Sequence, residues 1–139
     1  MLYSFSAIEH VSDPLEFLQQ IYQLMDVGST LVISAPNLDD YLINLSLAYK
    51  SFFFRKAHRW YFDKNTIANS GSIAEFRDIK VKAYQRFGIS NMINWLRFSQ
   101  PFQNNKVNIG FDTKLIDGLW QKSLEESLTA DYLYITMEK

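Results

Sequence analysis

Cysteine is absent from all 139 residues. That excludes a disulfide framework, a thiolate metal site and a cysteine nucleophile, and it fits a reducing compartment. Histidine is scarce, with only His10 and His58 present, too few for a structural zinc site. Glycine occurs five times, at 28, 71, 88, 110 and 118, and no two lie one residue apart. The chain therefore has no G-x-G-x-x-G fingerprint, no P-loop and no nucleophile elbow. A surplus of either charge is also missing: 14 basic residues face 15 acidic ones. With the basic residues dispersed, nothing points to nucleic acid or an anionic membrane as partner. The longest apolar stretch, Leu42 to Phe54, is interrupted by Asn44, Ser46, Lys50 and Ser51, so it does not suit a bilayer span. No basic-then-apolar leader pattern opens the chain. These absences predict a soluble, cytoplasmic protein with no metal centre.

What is present reads as one domain, residues 1–139, large enough to bury a core. Aromatic residues make up 16% of it, so either the core is dense with rings or some of them line a site or an interface. Leu2 to Ile8 alternates as a short strand. Asp13 is placed to cap a helix that opens on Pro14, with Glu16 where a capping-box acid belongs. That helix carries Leu15, Leu18, Tyr22 and Met25 on one face and closes at Gly28. Thr30 to Ala35 is a buried-type strand stopped by Pro36. Asn37 to Asp40 leads into an amphipathic helix bearing Leu42, Leu45, Tyr49 and Phe52. Arg55 to Phe62 is a loop, and Asp63 caps a further helix. Asp78 to Tyr84 alternates as a half-buried strand, Ile89 to Phe98 is helical, and Gln100 to Gly110 is a polar loop. Thr113 to Leu128 is a helix and Ala130 to Met137 the last strand. Strands alternating with helices predict an α/β sheet with parallel pairing and covering helices.

Ligands of open α/β sheets bind at the carboxyl edge of the strands, which singles out several residues. Glu9 and His10 follow the first strand. His10 could take a proton from a substrate hydroxyl or amine, with Glu9 orienting it. Spacing alone favours a plainer arrangement, in which His10 bonds a loop carbonyl and Glu9 caps a neighbouring helix. Asn37 follows the second strand, where an Asn is more often a turn or cap residue. His58-Arg59-Trp60-Tyr61-Phe62 reads equally as a substrate lid or as a loop packed through Trp60 and Phe62. Arg86, at the end of the third strand, could clamp a carboxylate or phosphate, though a solvated Arg is the commoner case.

Phe5-Ser6-Ala7-Ile8-Glu9-His10-Val11-Ser12-Asp13-Pro14 resembles the fourth strand and following helix of class I S-adenosylmethionine-dependent methyltransferases, in the flavour of the ubiquinone-biosynthesis-like branch. Leu24 to Asn37 is similar to that family's next helix end, turn and strand ending in Pro-Asn, with Ser29 in place of a second glycine. His58 with Tyr61-Phe62 resembles its His-then-aromatic segment. Ala74-Glu75-Phe76 stands where the family has Ala-Gly-Phe. Gln85 through Leu96, and Ala130 to Leu133, resemble a substrate-side insertion and last strand. The resemblance implies the carboxyl-terminal half of a Rossmann-like methyltransferase sheet: about four strands, mostly parallel, with covering helices and a helical insertion.

It further implies that Ser6 and Ala7 border the S-adenosyl-L-methionine donor, that His10 and Glu9 serve catalysis, and that Asn37, His58 and Arg86 contact a small-molecule or sugar-like acceptor. Methyl transfer then depends on positioning, with a base for an acceptor that must lose a proton. The family's glycine-rich first half would lie upstream of Met1, which leaves most of the donor site outside the chain. The first strand then becomes an exposed apolar edge open to a donor-binding half or a second copy. The alternative expectation is a degenerate, non-catalytic module that binds or assembles as a homodimer.

Overall fold

The computed structural model describes residues 1–101 and 113–139; the polar loop expected between Gln100 and Gly110 lies almost wholly outside them. In chain order the elements are β1 (Leu2–Phe5), α1 (Pro14–Leu24), β2 (Thr30–Pro36), α2 (Leu42–Leu45), α3 (Leu47–Phe53), α4 (Lys64–Ile73), β3 (Arg77–Tyr84), α5 (Ile89–Phe98), α6 (Lys114–Glu126) and β4 (Tyr132–Glu138). The strands form one sheet in the order β1-β2-β4-β3. This is the expected α/β class, with three strands pointing the same way.

Pairing is parallel between β1 and β2, whereas β4 lies antiparallel between β2 and β3. The expected, mostly parallel sheet is what forms, and β4 is the one described strand that runs against the others. The cause is the route of the insertion. The α5 side chain Trp95 packs on Tyr49 and Phe52 beside the carboxyl edge of the sheet, and α6 sets Asp117 against Gly88, just beyond β3. Among the described residues, the connection from β3 to β4 stays at this edge, so β4 enters at Tyr132 beside Pro36 and Tyr84 and runs backwards.

Period-two alternation decides the two faces of the sheet. Leu31, Ile33, Leu133, Ile135 and Met137 are fully buried on one side, with Leu18 of α1, Ile67 of α4 and Leu124 of α6 in the same cluster. The other side carries Tyr3, Phe5, Tyr84 and Tyr134, with Tyr134 meeting Phe5 and Tyr84 edge-on.

Local signals explain the helix boundaries. Asp13 accepts from the Leu15 and Glu16 amides, although Glu16 does not complete a capping box and instead accepts from Gln20. Asp63 does make the reciprocal box with Thr66. The single helix expected after Asp40 is split because Ser46 adopts an extended backbone and caps α3 by accepting from the Tyr49 amide. Gly28 takes the left-handed conformation (φ 81°) in the turn after α1, whose own cap is Met25.

Candidate active-site rim

The site grows from the exits of β1 and β2. Ser6 leaves β1 in a left-handed conformation (φ 51°). Its amide donates to the Ser34 carbonyl, and its hydroxyl shares a 2.7 Å hydrogen bond with Tyr132. The turn that follows is closed by the His10 amide donating to the Ala7 carbonyl. It buries Ile8 and Glu9, each 1% exposed, while leaving the His10 ring at the surface.

The loop before α4 packs on this turn. Amides of Arg59 and Trp60 both donate to the Glu9 carbonyl, and the Trp60 indole donates to the Val11 carbonyl. Phe62 is buried and bridges to Asn37. These bonds bring the two histidines together, ring centroids 5.0 Å apart. His10 Nδ1 lies 2.7 Å from the Ala57 carbonyl, so it carries the proton and leaves Nε2 with the lone pair. The loop-carbonyl partner expected from spacing is therefore present. Among the described residues Glu9 caps no helix; its Oε1 lies 3.8 Å from His10 Nε2. Burial pushes the Glu9 carboxyl above its usual range, against its own backbone hydrogen bond and the charges of His10 and Arg55. Burial and the neighbouring Arg55 hold His58 below the usual imidazole range, with His10 adding to the effect.

Beyond His58 the rim opens into a cavity of about 70 Å³ lined by Pro36, Tyr49, Phe52, Arg55, Arg86 and Tyr132, among others. Arg86 is fixed from two sides: its Nε donates to Asp131 at 2.6 Å, and its guanidinium stacks over Tyr132 at 3.9 Å from the ring centre. Arg55 has no carboxylate within ion-pair distance among the described residues and lies over Phe52 instead.

A model of the methyltransferase-domain family matches residues 2–81. The chain belongs to this family. Solved structures agree on the fold of this methyltransferase domain. A SAM-dependent methyltransferase from Thermotoga maritima aligns over 99% of the chain with 16% identity and a TM-score of 0.59. One from Archaeoglobus fulgidus aligns over 99% with 17% identity and a TM-score of 0.55. Haemonchus contortus phosphoethanolamine N-methyltransferase 2, solved with phosphomonomethylethanolamine and S-adenosylhomocysteine, aligns over 99% with 20% identity and a TM-score of 0.58. The domain spans 54%, 57% and 32% of those chains respectively. A search of curated proteins finds no match.

Within the methyltransferase domain, Ser6, Ala7, Glu9, His10, His58 and Arg86 all gather along one edge. Asn37 lies at the same edge but its side chain is turned into the protein. It is fully buried, its amide donates to the Leu128 and Ala130 carbonyls, and its oxygen accepts from the Asp39 amide. That leaves no free donor to reach a ligand, and the turn role is the one it performs. Three cavity residues carried no signal of a site in the sequence: Tyr49 reads as one position on a helix face, Arg55 as the start of a loop and Asp131 as the approach to a strand. Asp131 is buried and holds both the Arg86 amide and side chain. Its partner is 45 residues away in sequence, a separation that no spacing motif covers.

Proposed function

We propose that this chain forms the acceptor-side half of an S-adenosyl-L-methionine-dependent methyltransferase, completed by a glycine-rich donor-binding half that pairs along the β1 edge. The observation that carries this is the family match over residues 2–81 together with a polar rim at the carboxyl edge of the same strands. The residues present fit one side of the donor. Ser6 and Ala7 stand accessible at the exit of β1, whereas a glycine-rich phosphate-type cradle or ribose-binding turn is not formed by any described segment. The donor supplies an electrophilic methyl group when bound. The chain's own residues then hold the acceptor in line and keep its nucleophile oriented. His10 Nε2, which the Ala57 bond to Nδ1 leaves with a lone pair, accepts the acceptor's proton. Arg86 and Arg55, with the Tyr132 and Phe52 rings, suit a small polar or sugar-like acceptor carrying an anionic group.

Calorimetry with S-adenosylhomocysteine tests the division of labour. The chain alone should give no saturable heat, and adding a glycine-rich half taken from a solved relative should restore binding. In that completed enzyme, His10→Ala should cut methyl transfer by about 10²–10⁴-fold while leaving donor affinity unchanged. Tight donor binding by the isolated chain, or none by the completed one, would reject the scheme. A non-catalytic, self-assembling module is the second reading, favoured by one observation: Tyr3 and Phe5 on edge strand β1 are 59% and 55% exposed.

A further inference from the structure

We infer that Glu9, His10 and His58 form a binding site for one divalent cation of the zinc and cobalt(II) type. A carboxylate oxygen of Glu9 and one ring nitrogen from each histidine lie within 4.8 Å of one another. Ligand atoms around a tetrahedral zinc stand about 3.3 Å apart, so small side-chain rotations close the set. His10 Nε2 and Glu9 Oε1, at 3.8 Å, are already near that spacing.

Two independent observations, and the energetic consequence of the second, aim this cluster at a cation. First, the Ala57 carbonyl fixes the proton of His10 on Nδ1, the outer-shell arrangement that presents Nε2 as a ligand. Second, buried side-chain polar atoms without a partner are rare and call for an explanation. Among the described residues there are three, and two of them belong here: Glu9 Oε2 and His58 Nδ1. Glu9 Oε2 is a ligand-type atom on a side chain 1% exposed, and His58 ligates through Nε2 once Arg55 withdraws from it. Third, a buried carboxylate with no cationic hydrogen-bond partner is costly unless an opposite charge arrives.

The ligand set selects the ion. Two imidazoles and one carboxylate suit zinc, cobalt or nickel, whereas magnesium and calcium prefer all-oxygen shells. Two histidines are too few for a closed structural zinc site, but with Glu9 they make three ligands and leave an open position on the rim. A positive side chain stands at the cluster: the Arg55 guanidinium lies 3.4 Å from His58 Nε2. It is exposed, so it can swing outward, and its charge opposes the incoming ion. A bound cation occupies the lone pair that proton acceptance by His10 requires. The two roles are alternatives, and binding is therefore read directly rather than through activity.

The experiment is titration of the full, tag-free chain with Co²⁺, followed by visible absorption and then by Zn²⁺ competition. One equivalent of Co²⁺ should produce saturable d–d bands, Zn²⁺ should abolish them and Mg²⁺ should not. Glu9→Gln and His58→Gln should each weaken binding by at least about tenfold, the lower end of what even outer-shell changes cost. Arg55→Gln, which leaves every ligand in place, should tighten it. Circular dichroism of each variant confirms that the fold is kept. Absence of saturable bands in the parent chain overturns the site. So does binding that is unchanged in Arg55→Gln and in whichever ligand variant folds. Neither result bears on donor binding, which the calorimetry measures with chelator present.

Discussion

Asp40 shows what one buried carboxyl does to the acid–base behaviour of the whole chain. It is 2% exposed and accepts from the Leu42 amide and the Tyr49 hydroxyl. Burial pushes its pKa up to about 6; the Tyr49 and Leu42 bonds and Arg86 oppose the rise, while Asp131 adds to it. Because the folded value lies above the unfolded one, the folded chain holds this proton more tightly. The contribution to stability is complete below about pH 4 and is lost as pH rises through about 6. Asp40→Asn should therefore flatten the stability change between pH 4 and pH 7 by on the order of 3 kcal/mol. Urea unfolding at the two pH values measures it, and an unaltered slope in the variant would exclude Asp40 as the cause. At this scale the sequence was informative only where chemistry is local. His10 and Arg86 were visible as polar residues ending strands. The meeting of His10 with His58 was not, because it depends on backbone hydrogen bonds from Arg59 and Trp60 back to Glu9.

Helix and strand boundaries were the most legible layer, since caps and periodicity act within a few residues. Asp13 and Asp63 cap as expected, and the Ile79, Val81, Ala83 alternation marks β3. The break at Ser46 escaped notice because Leu42, Leu45, Tyr49 and Phe52 keep helical spacing across it, and a serine there reads as an ordinary polar position. Glu75 is the clearest mismatch between residue and element. It follows α4 with φ 73°, and the next amide, of Phe76, donates back to the Gly71 carbonyl, the geometry of a glycine-type helix stop. A side chain there costs about 1–2 kcal/mol in the left-handed region, partly offset because glycine gives the unfolded chain more freedom. Glu75→Gly should raise stability by about 0.5–1 kcal/mol, seen as a higher urea midpoint with the same m-value. A lower midpoint would mean that the Glu75 side chain makes a compensating contact.

For the molecule as a whole, the α/β class followed from the order of elements, whereas the reversed β4 did not, because strand direction is set by where two helices lie rather than by any residue in the strand. The same sheet leaves β1 as an edge with exposed rings, which invites pairing with another strand. The chain should sediment with a concentration-dependent increase in mass. Tyr3→Lys combined with Phe5→Lys should hold it monomeric, as charge blunts an edge; a parent chain that stays monomeric at high concentration would show that the edge is already quiet. The reversed strand also has a meaning in time. The strand that joins β2 to β3 is the last of the four to be made, so β3 has no strand beside it while it is being made. A nascent chain paused before Tyr132 holds only the short β1–β2 ladder, with α4 against Ile79 but both strand edges of β3 unpaired. Until Tyr132–Glu138 is made, such a chain is a client for whatever shelters unpaired strand edges and unfinished apolar surface.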